Sequence, residues 1–315
     1  MSAAISVRGL RKSFGETTVL DGVDINVEQG TVFALLGPNG AGKTTIVRIL
    51  STLIDADAGE LTVAGADVQR DAEQVRSAIG VTGQFSALDE MLTGQENMML
   101  MARLRHLPRE TGVARVRELL ERFELTDAAA RTASTYSGGM RRRLDLAMTL
   151  VGSPSVIFLD EPTTGLDPRS RRTMWESIRA LVAAGVTIFL TTQYLDEADE
   201  LADQIAVLDH GRIVAQGSAE QLKARIPGGH VQLEFADAEA LESAGGLLDG
   251  AAVEDGKLVL RVPNDGSVAA LRGLLAQLDE RQIEVQRLAM HTPDLDDVFF
   301  AVTGHPTTDE EVVTR

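Results

Sequence analysis

Apolar and polar residues alternate near the start of the chain. Ile5 to Val7 and Val19 to Val27 carry the two-residue period of strands, on either side of the turn-like SFGET. Thr31 to Leu36 is a short apolar strand that runs into GPNGAGKTT and then IVRILSTL, whose apolar positions recur at helical spacing. Another strand ends over Gly80 to Gln84. From about Leu88 to Gly152 the pattern is almost entirely helical, which predicts a helical block inserted between strands. Val156 to Leu159 reads as a buried strand, Arg169 to Ala184 as an amphipathic helix, and Thr187 to Thr192 as a strand followed by a helix from about Asp196. IAVLDHGRIVAQG predicts a hairpin that turns at His210-Gly211.

After SAEQLKARIPGG the texture changes. The predicted order is a strand (Val231 to Phe235), a helix (Glu239 to Leu248), and a hairpin over AAVEDGKLVLRV on an Asp-Gly turn. A helix (Ser267 to Leu278), a strand (Ile283 to Leu288) and a last helix (Leu295 to Val302) follow. That βαββαβ order suits a small α+β ferredoxin-like sandwich. The boundary is placed near Pro227, giving domains at 1–226 and 227–304, with HPTTDEEVVTR (305–315) read as a mobile tail.

Composition narrows the function classes. The 315 residues are 44% apolar and carry 47 acidic against 30 basic side chains, a net charge of −17. Such a chain would repel a phosphate backbone, so nucleic acid is not an expected partner. It has no cysteine, which removes disulfides and thiolate metal sites. The start, MSAAISVRGLRK, lacks the apolar core of a signal peptide. The charge-free stretch between Arg179 and Asp196 is interrupted by Gly185 and threonines, and falls short of the about 20 residues a spanning helix needs. The chain is therefore expected not to cross a membrane by itself.

Three stretches carry the chemistry. GPNGAGKT comprises Gly37, Pro38, Asn39, Gly40, Ala41, Gly42, Lys43 and Thr44, followed by Thr45. It fits the phosphate-binding pattern G-x-x-x-x-G-K-[ST], in which glycines let backbone N–H groups turn onto phosphate oxygens. Lys43 would bridge the β- and γ-phosphates, and Thr44 would ligate Mg²⁺. VIFLDE ends a buried strand in two carboxylates: Asp160 would hold Mg²⁺ through water, and Glu161 would polarise the attacking water. An acidic pair in that position is more often a solvated turn or a helix cap, but the glycine loop reverses that expectation. In YSGGMRRRLDLAM, Ser137 reads as a helix cap, and Gly138 and Gly139 expose the first N–H groups of the helix. Arg141, Arg142 and Arg143 read as an ordinary solvated face. The five histidines form no ligand pattern.

In order and spacing these motifs resemble the nucleotide-binding subunits of ATP-binding-cassette (ABC) transporters over about Ile5 to Gly217. The matching residues are the phosphate loop, Gln84, SGG at 137–139, LDEP at 159–162, GLDP at 165–168 and the strand before Gln193. The resemblance implies a P-loop NTPase fold: a mixed-sheet core, an antiparallel β subdomain and a helical subdomain at about 88–152. It also implies a homodimer of cassettes facing head to tail, in which Ser137, Gly138 and Gly139 meet the γ-phosphate of ATP bound to the partner. Gln84 would lie near Mg²⁺ and couple to the membrane subunit, and Asp167 would cross the dimer interface. Phe14 matches the aromatic that stacks on adenine; the other reading of Phe14 is a core residue of the first hairpin.

Three positions depart from the family pattern. Tyr136 and Met140 flank SGG where LSGGQ is commonest, Phe14 stands for a tyrosine, and Gln193 replaces the switch histidine. YSGGM, TTQYLDEAD and VTGQ together look like the daunorubicin-resistance type of exporter ATPase, and LDDVFFAVTGH resembles that subgroup's C-terminal LDEVFL motif. The implied function is the ATPase of a two-component exporter of a drug, antibiotic or lipid-like molecule. It would sit at the cytoplasmic face of the plasma membrane beneath a separate permease. The alternatives are a soluble non-transport cassette ATPase and a slowly hydrolysing ATP-gated clamp. Gln193 invites the second, although its amide can donate a hydrogen bond to phosphate as an imidazole N–H would.

Overall fold

The initial alternation forms a long hairpin, β1 (Ala3–Phe14) and β2 (Thr17–Glu28). Ile5, Val7, Leu10, Leu20, Val23, Ile25 and Val27 are buried along it. The computed structural model describes residues 3–83, 88–225, 229–253, 257–264, 267–291 and 293–304. Gln84, the boundary at Pro227, the Asp255-Gly256 turn and the tail lie outside these residues. The described residues divide between Ala219 and Glu220 into two compact units.

In the first unit β1 pairs with β2 and with β4 (Ala58–Val63), and β5 (Ala66–Asp67) completes an antiparallel sheet of order β2-β1-β4-β5. Alternation along the sequence predicts no element for β4, β5 or the following α2 (Ala72–Ala78). Only two of the six β4 residues are buried, so its apolar signal is thin.

The larger sheet has the order β10-β9-β3-β8-β7-β6. Its members are β3 (Val32–Leu36), β6 (Ile79–Thr82), β7 (Val156–Asp160), β8 (Thr187–Thr192), β9 (Gln204–Asp209) and β10 (Arg212–Gly217). All neighbours run parallel except the β9–β10 hairpin. That hairpin turns through His210 and Gly211, both at positive φ (43° and 75°), as a two-residue turn of matching twist requires. Every residue of β3, β7 and β8 is buried, which explains runs without alternation. Phe189 stacks on Phe33 at 5.3 Å between ring centroids and meets Phe158 at 5.5 Å.

Helix α1 (Lys43–Leu50) follows the glycine loop. The helical block contains α3 (Gly94–Leu104), α4 (Arg109–Arg122) and α5 (Gly138–Thr149), with short 3-10 turns at 126–128 and 133–135 between α4 and α5 and another at 150–152 after α5. Thr93 and Glu96 close a capping box at the start of α3. Helices α6 (Pro168–Ala183) and α7 (Leu195–Leu201) follow β7 and β8. Among the described residues no helix is long and apolar enough to cross a membrane.

The short helix α8 (Ala219–Lys223) begins at the division between the units. In the second unit β11 (His230–Glu234), β12 (Ala252–Val253), β13 (Val259–Pro263) and β14 (Arg287–His291) form an antiparallel sheet of order β12-β13-β11-β14. Helices α9 (Ala238–Leu247) and α10 (Val268–Glu280) supply Leu241, Ala244, Leu274 and Leu278 to a core with Val231, Leu233, Phe235, Leu260 and Val262. The chain's last described element is α11 (Leu295–Thr303), with Leu295, Val298 and Phe299 buried. One strand is displaced from its predicted place: pairing begins at Arg287, not at Ile283. Helix α10 runs on to Glu280, and the Ile283 N–H still bonds the Leu278 carbonyl past Gln282 at φ 54°, so Ile283 belongs to the helix exit.

Candidate nucleotide site

Sheet register sets the site. Leu36 pairs with Thr192, and Asp160 with Thr191. One residue beyond those pairs, the Gly37 N–H donates to the Thr192 carbonyl at 3.3 Å, and the Glu161 N–H donates to the Thr191 carbonyl at 3.1 Å. The loops that begin with Gly37, Glu161 and Gln193 therefore leave the carboxyl edge of the sheet side by side. In open α/β sheets this edge is where ligands bind.

The glycine loop curls tightly. A Cβ on Gly37 would lie 2.3 Å from the Leu208 carbonyl oxygen, so only glycine fits against β9. Gly42 caps α1 at φ 111°, a conformation unfavourable for any residue with a Cβ. Ala41 is buried in the loop, and Thr44 is exposed. Lys43 is 5% exposed; its Nζ donates to the carbonyls of Gly37 (2.7 Å) and Pro38 (3.1 Å) and lies 3.7 Å from Glu161 Oε1. Burial lowers the Lys43 pKa, against the opposing charges of Glu161 and Asp160. A cavity of about 320 Å³ is lined by Val19, by Pro38, Asn39, Gly40 and Gly42 to Thr45, and by Glu161.

The two carboxylates differ in surroundings. Asp160 is buried and accepts a hydrogen bond from the Thr191 hydroxyl. Glu161 adopts φ 50°, in the left-handed region, and its Oε2 accepts from the Thr164 hydroxyl at 3.3 Å. Thr191 thus serves both residues, because its N–H-accepting carbonyl faces Glu161 and its hydroxyl faces Asp160. It opens the stretch TTQYLDEAD, but nothing in that stretch gives it a role; its bonds follow from its place on the strand beside β7.

Among the described residues, the other predicted ones lie outside that cavity. Ser137 caps α5, its Oγ accepting from the Met140 N–H at 3.3 Å, and Ser137 and Gly138 are exposed. A Cβ on Gly139 would come 2.7 Å from Ser170 Oγ, so this glycine admits a close approach of α5 to α6. Asp167 caps α6 by accepting from the N–H groups of Arg169 and Ser170, both at 3.0 Å, and from the Ser170 hydroxyl. The Ser170 hydroxyl, with those N–H groups, holds the Asp167 pKa below the usual carboxylate range. Gln193 is half-buried directly after β8. Phe14 is 50% exposed with Lys12 Nζ 5.4 Å from its ring centroid, which removes the reading as a core residue.

The arginine face of α5 is not simply solvated, a correction to the sequence reading. Arg141 donates to Glu90 (2.9 Å) and the Ser134 carbonyl, and Arg143 to Glu124 (3.0 Å) and the Phe123 carbonyl. Arg142 reaches the loop that carries the carboxylates. Partners for all three come from distant segments, which helical spacing does not disclose.

Comparison with known proteins agrees with this geometry. The ABC transporter family model matches residues 20–164, and a model for the C-terminal domain of DrrA1-3-like ATP-binding proteins matches residues 217–303. The daunorubicin resistance ATP-binding protein DrrA3 of Streptomyces coeruleorubidus is 50% identical over 96% of both chains. The Nod factor export ATP-binding protein I of Ralstonia nicotianae is 38% identical over 97% of this chain and 95% of its own. Among solved structures, a nucleotide-free ATP-binding cassette from an ABC transporter superposes with a TM-score of 0.65 at 26% identity, covering 71% of this chain and 94% of the cassette. With near-complete coverage by such relatives and a phosphate loop closed against a carboxylate, this chain belongs to the ATP-binding subunits of ABC transporters, a family of ATPases.

Proposed function

We propose that this chain hydrolyses ATP with Mg²⁺ to drive export of a drug, antibiotic or lipid-like molecule through a separate permease, at the cytoplasmic face of the membrane. The observation that carries the reading is one cavity lined by both the glycine loop and Glu161, with Lys43 Nζ 3.7 Å from the carboxylate. Relatives named for daunorubicin resistance and for Nod factor export support the transport role and the breadth of substrate.

Lys43 and the loop N–H groups would bind the β- and γ-phosphates. The donor set suits Mg²⁺: the Thr44 hydroxyl and the Asp160 carboxylate are hard oxygen ligands, few in number. Mg²⁺ commonly takes one or two protein groups with phosphate and water completing its shell. When bound, the ion neutralises charge on the phosphates. Glu161 would accept the proton of the water that attacks the γ-phosphate in line, while the β–γ bridging bond breaks toward ADP. Lys43 would carry charge that develops on the leaving group. Gln193 would donate its amide N–H to a γ-phosphate oxygen, and Phe14 would stack on adenine. Ser137, Gly138, Gly139 and Asp167 would act across a homodimer of cassettes. Residues 227–304 would form an accessory domain for dimerisation or permease docking.

The test is Glu161→Gln. It should bind ATP like wild type, lose most turnover, and accumulate a dimer on size exclusion in ATP. Hydrolysis at the wild-type rate would show that another group takes the proton.

A further inference from the structure

Arg142 stands five residues after Ser137, in the second turn of α5, with its side chain largely buried. Nε donates to the Pro162 carbonyl at 2.8 Å, and Nη2 to the carbonyls of Glu161 (2.6 Å) and Asp160 (3.4 Å). Nη1 donates to the Gly83 carbonyl at 3.2 Å and lies 3.7 Å from Asp145 Oδ2. One guanidinium therefore gathers three consecutive carbonyls of the carboxylate loop and a fourth just beyond β6.

The backbone at that loop explains why a cation is needed. Along β7 successive carbonyls point to opposite sides and are absorbed by neighbouring strands. Glu161 breaks the alternation with φ 50°, a conformation that costs free energy for a residue with a Cβ. The turn brings the carbonyls of Asp160, Glu161 and Pro162 within reach of one group, where their dipoles repel one another. A planar guanidinium with five donors and a permanent charge can satisfy all three; an ammonium, with one nitrogen, cannot span them.

We propose that Arg142 is a positioning residue for hydrolysis: its guanidinium holds the Asp160–Pro162 backbone in the turn that directs Glu161 into the phosphate cavity, and ties that turn to Gly83. This rests on the reading of Glu161 as the proton acceptor. Arg142 itself does not line the phosphate cavity. Its removal loosens the aim of Glu161 without removing any group assigned to ATP, so turnover falls while nucleotide affinity stays.

The experiment measures kcat, ATP affinity and the thermal transition for Arg142→Lys and Arg142→Gln, each in wild type and in Glu161→Gln. The expected result is a fall in kcat of at least about tenfold for both variants, the size of effect that misplacement of a catalytic group produces, with ATP affinity within about twofold. In the Glu161→Gln background the same changes should alter residual hydrolysis by less than about twofold, because the group being aimed is already gone. Arg142→Lys turning over like wild type, with Glu161→Gln inactive, would overturn the Arg142 proposal alone. So would an equal fold-loss in both backgrounds, or a loss of ATP affinity matching the loss of kcat. Collapse of the thermal transition in both variants would assign Arg142 to the fold and equally overturn it. A fully active Glu161→Gln would instead remove the assignment of the proton acceptor, and the proposal with it.

Discussion

The Tyr136 hydroxyl donates to the Ala128 carbonyl at 2.7 Å, and Tyr136 is only 4% exposed. The departure from the leucine usual before SGG thus has a structural use: the phenol ties the segment entering α5 to the 3-10 turn at 126–128. Burial raises the phenol pKa, with Arg131 opposing it, so the hydroxyl stays a donor. Tyr136→Phe keeps the ring and removes one of two donors to that carbonyl, which still accepts from the Arg131 N–H at 2.9 Å. It should cost about 0.5–1.5 kcal/mol of stability, the net worth of one hydrogen bond. Urea unfolding checks this, with the ATPase KM unchanged; equal midpoints would mean that water replaces the hydroxyl.

Gln193 tests the clamp reading. It follows Thr192, whose carbonyl accepts from the Gly37 N–H, so the amide begins its loop beside the phosphate loop. A hydrogen bond to a charged group is worth about 1.5–3 kcal/mol, or roughly ten- to a hundredfold in rate when realised in the transition state. Gln193→Ala should lower steady-state turnover by that order, and Gln193→His should largely retain it. Identical rates for wild type and the alanine variant would make the amide an ordinary loop residue.

Glu197, on α7, is fully buried and accepts from the Trp175 indole N–H at 3.2 Å. Burial raises its pKa above the usual value of 4.5, against the hydroxyl and indole donors around it. A carboxyl whose pKa is higher folded than unfolded contributes fully below the unfolded pKa and loses that contribution as pH rises through the folded one. Glu197→Gln, which mimics the protonated acid, should therefore be more stable than wild type at pH 8. The gap should close toward pH 5. Denaturant midpoints at the two pH values measure it, and a gap independent of pH would show that the carboxyl stays ionised.

The second unit has its own core of Val231, Leu233, Phe235, Leu260, Val262, Leu274 and Leu278. No residue lining the cavity at the glycine loop lies in it. Deletion from Gly228 onward should leave ATP affinity unchanged and abolish substrate export in cells. Export at the wild-type level after deletion would leave the unit without a part in transport.

The path of the glycine loop and the place of Asp160 and Glu161 at the end of a buried strand were legible in the sequence because both are local. Glycines at fixed spacing permit one backbone path, and a continuous apolar run before two acids marks a buried strand ending at a ligand edge. The βαββαβ order of the second unit was legible too, apart from the start of β14, where Ile283 and Val285, in the segment that leaves α10, alternate with polar residues and read as strand although they pack on the core before pairing begins. What the chain's order could not convey is which distant backbone atoms converge. Arg142 looks like its neighbours Arg141 and Arg143 in sequence, yet only its guanidinium meets the carbonyls of Asp160, Glu161 and Pro162. Likewise Thr191 acquires its two bonds from the register of β7 on β8, and Tyr136 from a turn eight residues upstream. Periodicity records which side of an element faces apolar neighbours; the identity of a polar partner is settled only when separate elements pack, because a hydrogen bond depends on a distance that no local pattern encodes.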